Sequence, residues 1–85
     1  MELKEQFEEA ISNSKTLSQK PANDVLLKLY SLYKQANEGD LNTEAPSNPF
    51  DFVAKAKYAA WEELKGLTKE DAMQQYVDLI ASLKG

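Results

Sequence analysis

Apolar residues recur every three to four positions in four segments of the chain, with charged and amide side chains between them. This spacing places the apolar side chains on one face of a helix, so each segment predicts an amphipathic α-helix. The predicted starts of the four helices are at or next to Leu3, Asn23, Asp51 and Thr68. The first helix is predicted to end near Ser14. Gly39 and Gly66 are predicted to end the second and third, because glycine adopts the left-handed conformation that closes many helices.

Short polar side chains are predicted to cap three of these helices by accepting a backbone N–H group of the first turn. Asn23 is predicted to cap the second helix, Asp51 to cap or open the third, and Thr68 to form a variant of the capping box with Asp71. The apolar face of the third helix is predicted to be buried. It consists of Val53, Ala56, Ala60, Trp61 and Leu64.

One long irregular stretch, residues 40–49, separates the second and third helices. Its prolines and asparagines favour turns over a helix. A connection of this length can cross from one end of a small bundle to the other, so the two helices that it joins can run parallel. No segment has the two-residue period of a strand. We therefore predict an all-α four-helix bundle with a long connection between helices 2 and 3.

Length and composition narrow the possible functions. We expect residues 1–85 to form a single domain with a thin core. The chain has no Cys and no His, which excludes a cysteine nucleophile, a thiolate zinc site and a histidine general base. All ten cationic side chains are Lys and the net charge is −4, which argues against a nucleic-acid-binding surface. The first residues are acidic and lack an apolar signal segment, so we expect a soluble intracellular protein.

Tyr30, Tyr33 and Lys34 are the first candidate functional residues, because their spacing places all three within about a quarter of the circumference of the second helix. Two phenols and an ammonium group arranged in this way can hold a flat ring and a phosphate together. Periodicity alone favours a structural interpretation. In it, both tyrosines are core aromatics and Lys34 is the solvated partner of Glu38, four residues further on.

Lys57 is a further candidate, because no acidic residue lies three or four positions from it on its helix. Its neighbours at those positions are apolar and include Trp61. A lysine in such a patch is expected either to meet an anion or to lie over the Trp61 ring. Lys15 also lacks an acidic residue at these spacings. Adjacent acidic pairs such as Glu62 and Glu63 point in different directions on a helix and are therefore not expected to form a catalytic pair.

Four groups of residues, in this order and at these spacings, resemble the acyl-CoA-binding protein family over almost the whole chain. They are Tyr30-x-x-Tyr33-Lys34-Gln35-Ala36-x-x-Gly39-Asp40-x-Asn42, then Pro46, then Lys55-Ala56-Lys57-x-x-Ala60-Trp61-x-x-Leu64-Lys65-Gly66, and then Lys69-Glu70-Asp71-Ala72-Met73-x-x-Tyr76. The resemblance implies a four-helix bundle of up-down-down-up topology. It also implies a cytoplasmic carrier, expected to be a monomer without a cofactor, that binds medium- and long-chain acyl-CoA esters and does not convert them.

The resemblance also implies a binding site for the coenzyme A head group. Its implied residues are Tyr30, Tyr33, Lys34, Lys57 and Tyr76, with Lys15 at the periphery. Lys34 is implied to lie at the 3′-phosphate, both helix 2 tyrosines beside the adenine, and Lys57 at a second phosphate. Tyr76 completes the pocket. The alternative hypothesis is a helical protein-interaction module in which this ligand site is vestigial.

The sequence departs from the usual family pattern at a few positions near the implied ligand. These are Ile11 where Ala is frequent, Ala45 for Arg, Val53 for Lys, Tyr58 for Trp, and a connection over residues 46–51 that looks one residue longer. Ile11 is expected to narrow the groove for the acyl chain, and Val53 removes one possible phosphate contact. We expect these departures to tune affinity or chain-length preference without abolishing binding.

Overall fold

In the computed structural model, which describes residues 2–84, the chain forms four α-helices and no strand within that range. The helices are α1 (Leu3–Ser14), α2 (Asn23–Glu38), α3 (Phe52–Glu62) and α4 (Lys69–Lys84). The all-α prediction is therefore confirmed, and only residues 1 and 85 of the predicted domain lie outside the described part. Within residues 2–84, no helix is long and apolar enough to cross a membrane.

Two of the three predicted caps are present. The Asp51 carboxylate accepts a hydrogen bond from the Ala54 N–H at 3.0 Å and begins α3. Thr68 accepts one from the Asp71 N–H at 3.1 Å and begins α4. Each of these bonds joins residues three positions apart, which is why a local sequence pattern predicts it.

The predicted cap at Asn23 is wrong. α2 begins at Asn23 itself, after Ala22 in an extended conformation, and no side chain caps its start. The Asp24 carboxylate accepts a hydrogen bond from the Val25 N–H at 2.9 Å instead. An acidic side chain in this position also interacts favourably with the positive end of the helix dipole.

Both glycines predicted to end helices have positive φ angles, 81° at Gly39 and 92° at Gly66. Gly39 directly follows the last residue of α2. α3 ends at Glu62, earlier than predicted. The residues before Gly66 form a turn in which the Leu64 N–H donates to the Trp61 carbonyl, three positions back, at 3.0 Å. Shorter bonds of this kind are common where a helix ends.

The helices follow the up-down-down-up topology. α4 packs against both α1 and α2, and α3 packs against α2. The end of α2 lies beside the start of α4, since Gln35 donates to the Leu67 carbonyl at 2.7 Å, so these two helices are antiparallel. α2 and α3 run parallel, because their first halves line one cleft together and Trp61, near the end of α3, donates to the Gly39 carbonyl at the end of α2.

The apolar core lies between α1, α2 and α4. Its buried residues are Phe7, Ala10, Leu29, Leu32, Ala36, Ala72, Tyr76 and Ile80. Within α3 only Trp61 is buried. The predicted burial of Val53 is wrong, because its side chain is 64% exposed. α3 has a helix neighbour on one side alone, so its first turn, including Phe52 and Val53, extends beyond the core.

A buried amide holds α3 against the rest of the bundle. Gln35 is 0% exposed, and its Nε2 donates to the Asp40 carboxylate at 2.9 Å and to the Leu67 carbonyl at 2.7 Å. Its Oε1 accepts a hydrogen bond from the Trp61 Nε1 at 3.1 Å. One side chain of α2 therefore contacts α3, the start of the long connection and the turn before α4.

Asp40 and Trp61 extend this hydrogen-bond network. The Asp40 carboxylate also accepts a bond from the Gly66 N–H at 2.8 Å, and Trp61 Nε1 also donates to the Gly39 carbonyl at 3.0 Å. The Gly66 N–H, and secondly Gln35, hold the pKa of Asp40 below its usual value. The network fixes the indole ring of Trp61 and the end of α2, and both of these border the candidate site.

Candidate functional site

Three clefts meet at the Tyr30 side chain, which lines all of them. The first, of ≈ 590 Å³, lies between α2, α3 and the long connection, and we call it the lysine cleft. The side chains that line it include Tyr30, Lys34, Glu38, Glu44, Lys57, Tyr58 and Trp61. The second, of ≈ 430 Å³, is the tyrosine cleft. The side chains that line it include Ile11, Lys15, Tyr30, Tyr33 and Tyr76.

The third cleft, of ≈ 400 Å³, lies between the first halves of α2 and α3, and we call it the apolar cleft. Its walls are mainly apolar and include Leu26, Leu27, Phe52, Val53 and Ala56. Tyr30 and Lys57 stand where it meets the lysine cleft. A hydrophobic chain and a charged group on one ligand would therefore find adjacent sites on either side of these two residues.

All six candidate residues from the sequence line the lysine and tyrosine clefts. Tyr30, Lys34 and Lys57 line the lysine cleft. Lys15, Tyr33 and Tyr76 line the tyrosine cleft together with Tyr30. Residues from α2, α3, α4 and the segment after α1 thus come together around one phenol. Their individual roles in binding stay predictions.

α2 and α3 border the lysine cleft, and each places a lysine ammonium group over an aromatic ring of the other helix. Lys57 Nζ lies 5.1 Å from the centre of the Tyr30 ring, and Lys34 Nζ lies 5.1 Å from the centre of the Trp61 ring. The expected placement of Lys57 over Trp61, four residues further along α3, is wrong. The side chains of the parallel helices α2 and α3 interleave, so each lysine reaches the ring on the facing helix and not one on its own.

Lys34 is also paired with Glu38, as the structural interpretation of the sequence proposed. The hydrogen bond to the Glu38 carboxylate raises the pKa of Lys34 above its ordinary value. The same bond lowers the pKa of Glu38. Lys34 therefore remains an ammonium ion at neutral pH, close to an aromatic ring and already bound to a carboxylate.

The tyrosines of the tyrosine cleft differ in burial. Tyr76 belongs to the core and meets Phe7 edge to face, with 5.2 Å between the ring centres. Tyr33 is 42% exposed, and its ring centre lies 6.2 Å from that of Phe7. Tyr33 is therefore not a core aromatic, and its exposed ring is accessible to a ligand in the cleft.

Three departures from the family pattern line different clefts. Ile11 borders the tyrosine cleft, Tyr58 the lysine cleft and Val53 the apolar cleft. Ile11 was expected to narrow an acyl groove. It lines the tyrosine cleft, whose walls also include Leu17, Pro21, Leu26 and Leu29 beside the tyrosines, and its effect on the acyl chain stays a prediction. Val53 adds apolar surface to the rim of the apolar cleft.

Two acidic residues of the lysine cleft were not predicted from the sequence to line it. Glu38 was considered only as the partner of Lys34, yet it lines the cleft. Glu44 lines the cleft as well, but it lies in the irregular connection, where no periodicity indicates the direction of a side chain. Gln35 appeared in the motif without a role. A buried amide between two helices leaves no signal in a single sequence beyond a polar residue on an apolar face.

Known proteins are similar to this chain in both sequence and fold. A family model described as Acyl CoA binding protein matches residues 4–80. Acyl-CoA-binding protein homolog 1 of Caenorhabditis elegans is 49% identical over 77 residues, which cover 91% of this chain and 88% of the relative. Enoyl-CoA delta isomerase 2 of Rattus norvegicus is 52% identical over 77 residues, but these cover only 19% of that protein, so the similarity does not extend to the rest of it.

A solved structure agrees with these sequence matches. The crystal structure of Oryza sativa acyl-CoA-binding protein 2 superposes with a TM-score of 0.90 at 38% identity, and the match covers 96% of this chain and 90% of that chain. The family resemblance found in the sequence is confirmed. The chain belongs to the acyl-CoA-binding protein family.

Proposed function

We propose that this protein binds medium- and long-chain acyl-CoA esters without converting them and serves as their carrier and buffer in the cytoplasm. The observation that carries this proposal is the meeting of three clefts at Tyr30. One contains two lysines and aromatic rings, one is lined by tyrosines and aliphatic side chains, and one is mainly apolar. An acyl-CoA has parts of matching chemistry, namely phosphates, an adenine ring and a hydrocarbon chain. The proposed unit is a single binding domain, active as a monomer.

The head group is proposed to occupy the lysine and tyrosine clefts. Lys34 and Lys57 offer ammonium groups to the phosphates, each worth about 1 to 4 kcal/mol depending on its exposure. The exposed face of Tyr33 and the ring of Tyr30 suit the adenine, whose stacking contributes roughly 1 to 3 kcal/mol by analogy with nucleic-acid bases. Lys15 stands at the edge of the tyrosine cleft, where it would meet a peripheral phosphate.

The acyl chain is proposed to enter the apolar cleft between α2 and α3. Each buried methylene contributes about 0.8 kcal/mol, so a chain of a dozen methylenes gains on the order of 10 kcal/mol before the cost of ordering the ligand. Chain burial is therefore the largest favourable contribution. Affinity is expected to rise with chain length, whereas the head group gives selectivity for the CoA ester over the free fatty acid.

The proposed function contains no catalytic step. The sequence has no Cys and no His, and within residues 2–84 no group of three or more metal-ligating side chains converges. The protein is expected to leave the thioester intact over hours at stoichiometric concentration. Chromatographic measurement of the bound ester checks this directly.

The test compares Lys57→Ala with Lys55→Ala, because Lys55 is exposed on the same helix and lines none of the three clefts. Isothermal titration with palmitoyl-CoA, CoA and palmitate at one ionic strength gives the three dissociation constants. We expect one-to-one binding of palmitoyl-CoA, far tighter than that of either fragment. Lys57→Ala is expected to raise its Kd at least tenfold, and Lys55→Ala to change it less than twofold.

A complete lack of binding would contradict the proposed function. If palmitoyl-CoA, CoA and palmitate all fail to bind to the folded protein, the proposed function is wrong. The alternative hypothesis, a helical protein-interaction module with a vestigial ligand site, then applies. Circular dichroism of both variants shows whether each has the helical content of the unmodified protein.

A further inference from the structure

The lysine cleft contains as many acidic as basic side chains. Lys34, Lys57, Glu38 and Glu44 all line it, so the formal charges of these four residues cancel. A cleft whose only task was to attract phosphates would gain nothing from two carboxylates. The contacts of these carboxylates indicate what else they do.

Glu38 contacts the lysine itself. One oxygen of its carboxylate, Oε2, forms the ion pair with Lys34. The other, Oε1, accepts a hydrogen bond from the Asn42 side-chain amide at 3.5 Å. Lys34 Nζ is at the same time 5.1 Å from the centre of the Trp61 ring. The ammonium group is thus held by a carboxylate from the next helical turn and by an aromatic face.

Lys57 provides the contrast within the same cleft. It lies over the Tyr30 ring but forms no ion pair with any of residues 2–84. A phosphate can therefore approach Lys57 without displacing an acidic side chain. A phosphate that binds Lys34 must share the ammonium group with the carboxylate of Glu38 or replace it there.

We propose that Glu38 competes with the ligand's phosphate for Lys34, and that this exchange of ion pairs sets how tightly and how selectively the cleft binds the head group. The inference rests on the proposed function. A doubly charged phosphate forms a stronger charge-assisted hydrogen bond with an ammonium group than a carboxylate does, so the exchange is favourable. The displaced Glu38 carboxylate then lies beside the bound phosphate, and its repulsion reduces the affinity. Ligands without a phosphate at Lys34 do not experience this effect.

The experiment removes the Glu38 charge and keeps the shape of the side chain. Glu38→Gln is compared with Glu44→Gln, which removes the same charge from the same cleft but not the partner of Lys34. The probes are CoA and 3′-dephospho-CoA, titrated at one low ionic strength. The quenching of Trp61, the single tryptophan of the chain, provides a second measure of binding.

We expect Glu38→Gln to bind CoA three- to tenfold more tightly than the unmodified protein, and Glu44→Gln to gain less than twofold. The gain is expected to be smaller for 3′-dephospho-CoA, since the resemblance places the 3′-phosphate at Lys34. In a Lys34→Gln background the gain from Glu38→Gln should fall to that of Glu44→Gln, because no ammonium group is then left to release and only the relief of charge repulsion remains.

Two outcomes overturn the inference while the proposed function stands. One is binding of palmitoyl-CoA by the unmodified protein with no gain in CoA affinity for Glu38→Gln. The other is an equal gain for both glutamine variants, which would show only the effect of the net charge of the cleft. If the unmodified protein binds neither CoA nor palmitoyl-CoA, the proposed function itself fails, and the inference fails with it.

Discussion

The two sides of α2 are held to their neighbours by different interactions. On one side, α1, α2 and α4 share a continuous apolar core that includes Phe7, Leu32 and Ile80. On the other side, α3 meets α2 through Trp61 and the hydrogen bonds of Gln35. Two of the three clefts therefore lie on the side of α2 away from the core, whereas Tyr76 belongs both to the core and to the tyrosine cleft. The apolar side supplies most of the stability, and the hydrogen-bonded side leaves the lysine and apolar clefts between α2 and α3 open to a ligand.

The largest expected effect is on the apolar side. Ile80→Ala removes a side chain that is 2% exposed in the core, and the resulting cavity is expected to lower the free energy of unfolding by about 2 to 5 kcal/mol. Urea denaturation followed by circular dichroism measures this change. The Kd for palmitoyl-CoA, measured at a temperature where the variant is folded, is expected to stay within twofold of the unmodified value.

Ile80→Val is the matched control, with an expected loss of about 0.5 to 1.5 kcal/mol. A large rise in Kd for Ile80→Ala in its folded state would contradict the comparison, because it would show that packing in the core and geometry in the clefts are coupled.

A smaller effect on stability, together with a clear effect on binding, is expected from Gln35→Leu on the hydrogen-bonded side. The substitution leaves the Leu67 carbonyl without the donated bond from Gln35 and removes one of the two acceptors of Trp61. Leaving buried polar groups unsatisfied is expected to cost about 1 to 3 kcal/mol. The Kd for palmitoyl-CoA is expected to rise severalfold, since the Trp61 ring and the Lys34 ammonium over it lose their fixed position.

Trp61 fluorescence checks this prediction separately from stability, because a loosened indole ring gains access to water and its emission shifts to the red. Gln75→Leu, at an exposed position of α4, is the matched control and should change neither quantity. An unchanged Kd with a reduced stability would assign Gln35 to the fold alone.

The smallest effect is expected from Asp40→Asn, because the asparagine Oδ1 can still accept hydrogen bonds from Gly66 and Gln35. Only the charge is lost. The Gly66 N–H, and then Gln35, hold the pKa of Asp40 below its ordinary value, so ionised Asp40 stabilises the fold at pH values above that ordinary pKa. This contribution is lost as the pH falls through the depressed pKa of the folded state.

Thermal melts at several pH values measure this contribution. The Tm of the unmodified protein is expected to exceed that of Asp40→Asn at pH 7, and the difference should shrink as the pH falls below the ordinary pKa of an aspartate. Glu63→Gln at an exposed position corrects for the loss of one surface charge. A difference that does not depend on pH would show that the charge of Asp40 contributes nothing.

Features that depend on residues within one helical turn could be predicted from the sequence. The caps at Asp51 and Thr68 and the end of α2 at Gly39 involve neighbours three or four positions apart. The periodicity predicted the four helices, and the lack of acidic residues three or four positions away identified Lys57 as a candidate. Lys57 does line two of the three clefts.

Features that depend on how one helix meets another could not be predicted in this way. Lys57 faces Tyr30 and Lys34 faces Trp61 because α2 and α3 are parallel and in a particular register, which a single sequence does not specify. Val53 has an apolar side chain at a helical spacing, but no neighbour covers the first turn of α3. Glu44 enters the lysine cleft from an irregular segment in which position along the chain does not determine direction.

The one-sided attachment of α3 also affects the order in which the molecule opens. α3 loses its contacts with the other helices when a single interface breaks, whereas α4 must separate from both α1 and α2. Backbone amides of α3 should therefore exchange with deuterated solvent through local opening, well before those of α4. A ligand held between α2 and α3 binds only the closed form, so it slows this exchange in proportion to its saturation. Ester binding would then be recorded in the exchange rates of one helix, while the core amides remain protected as before.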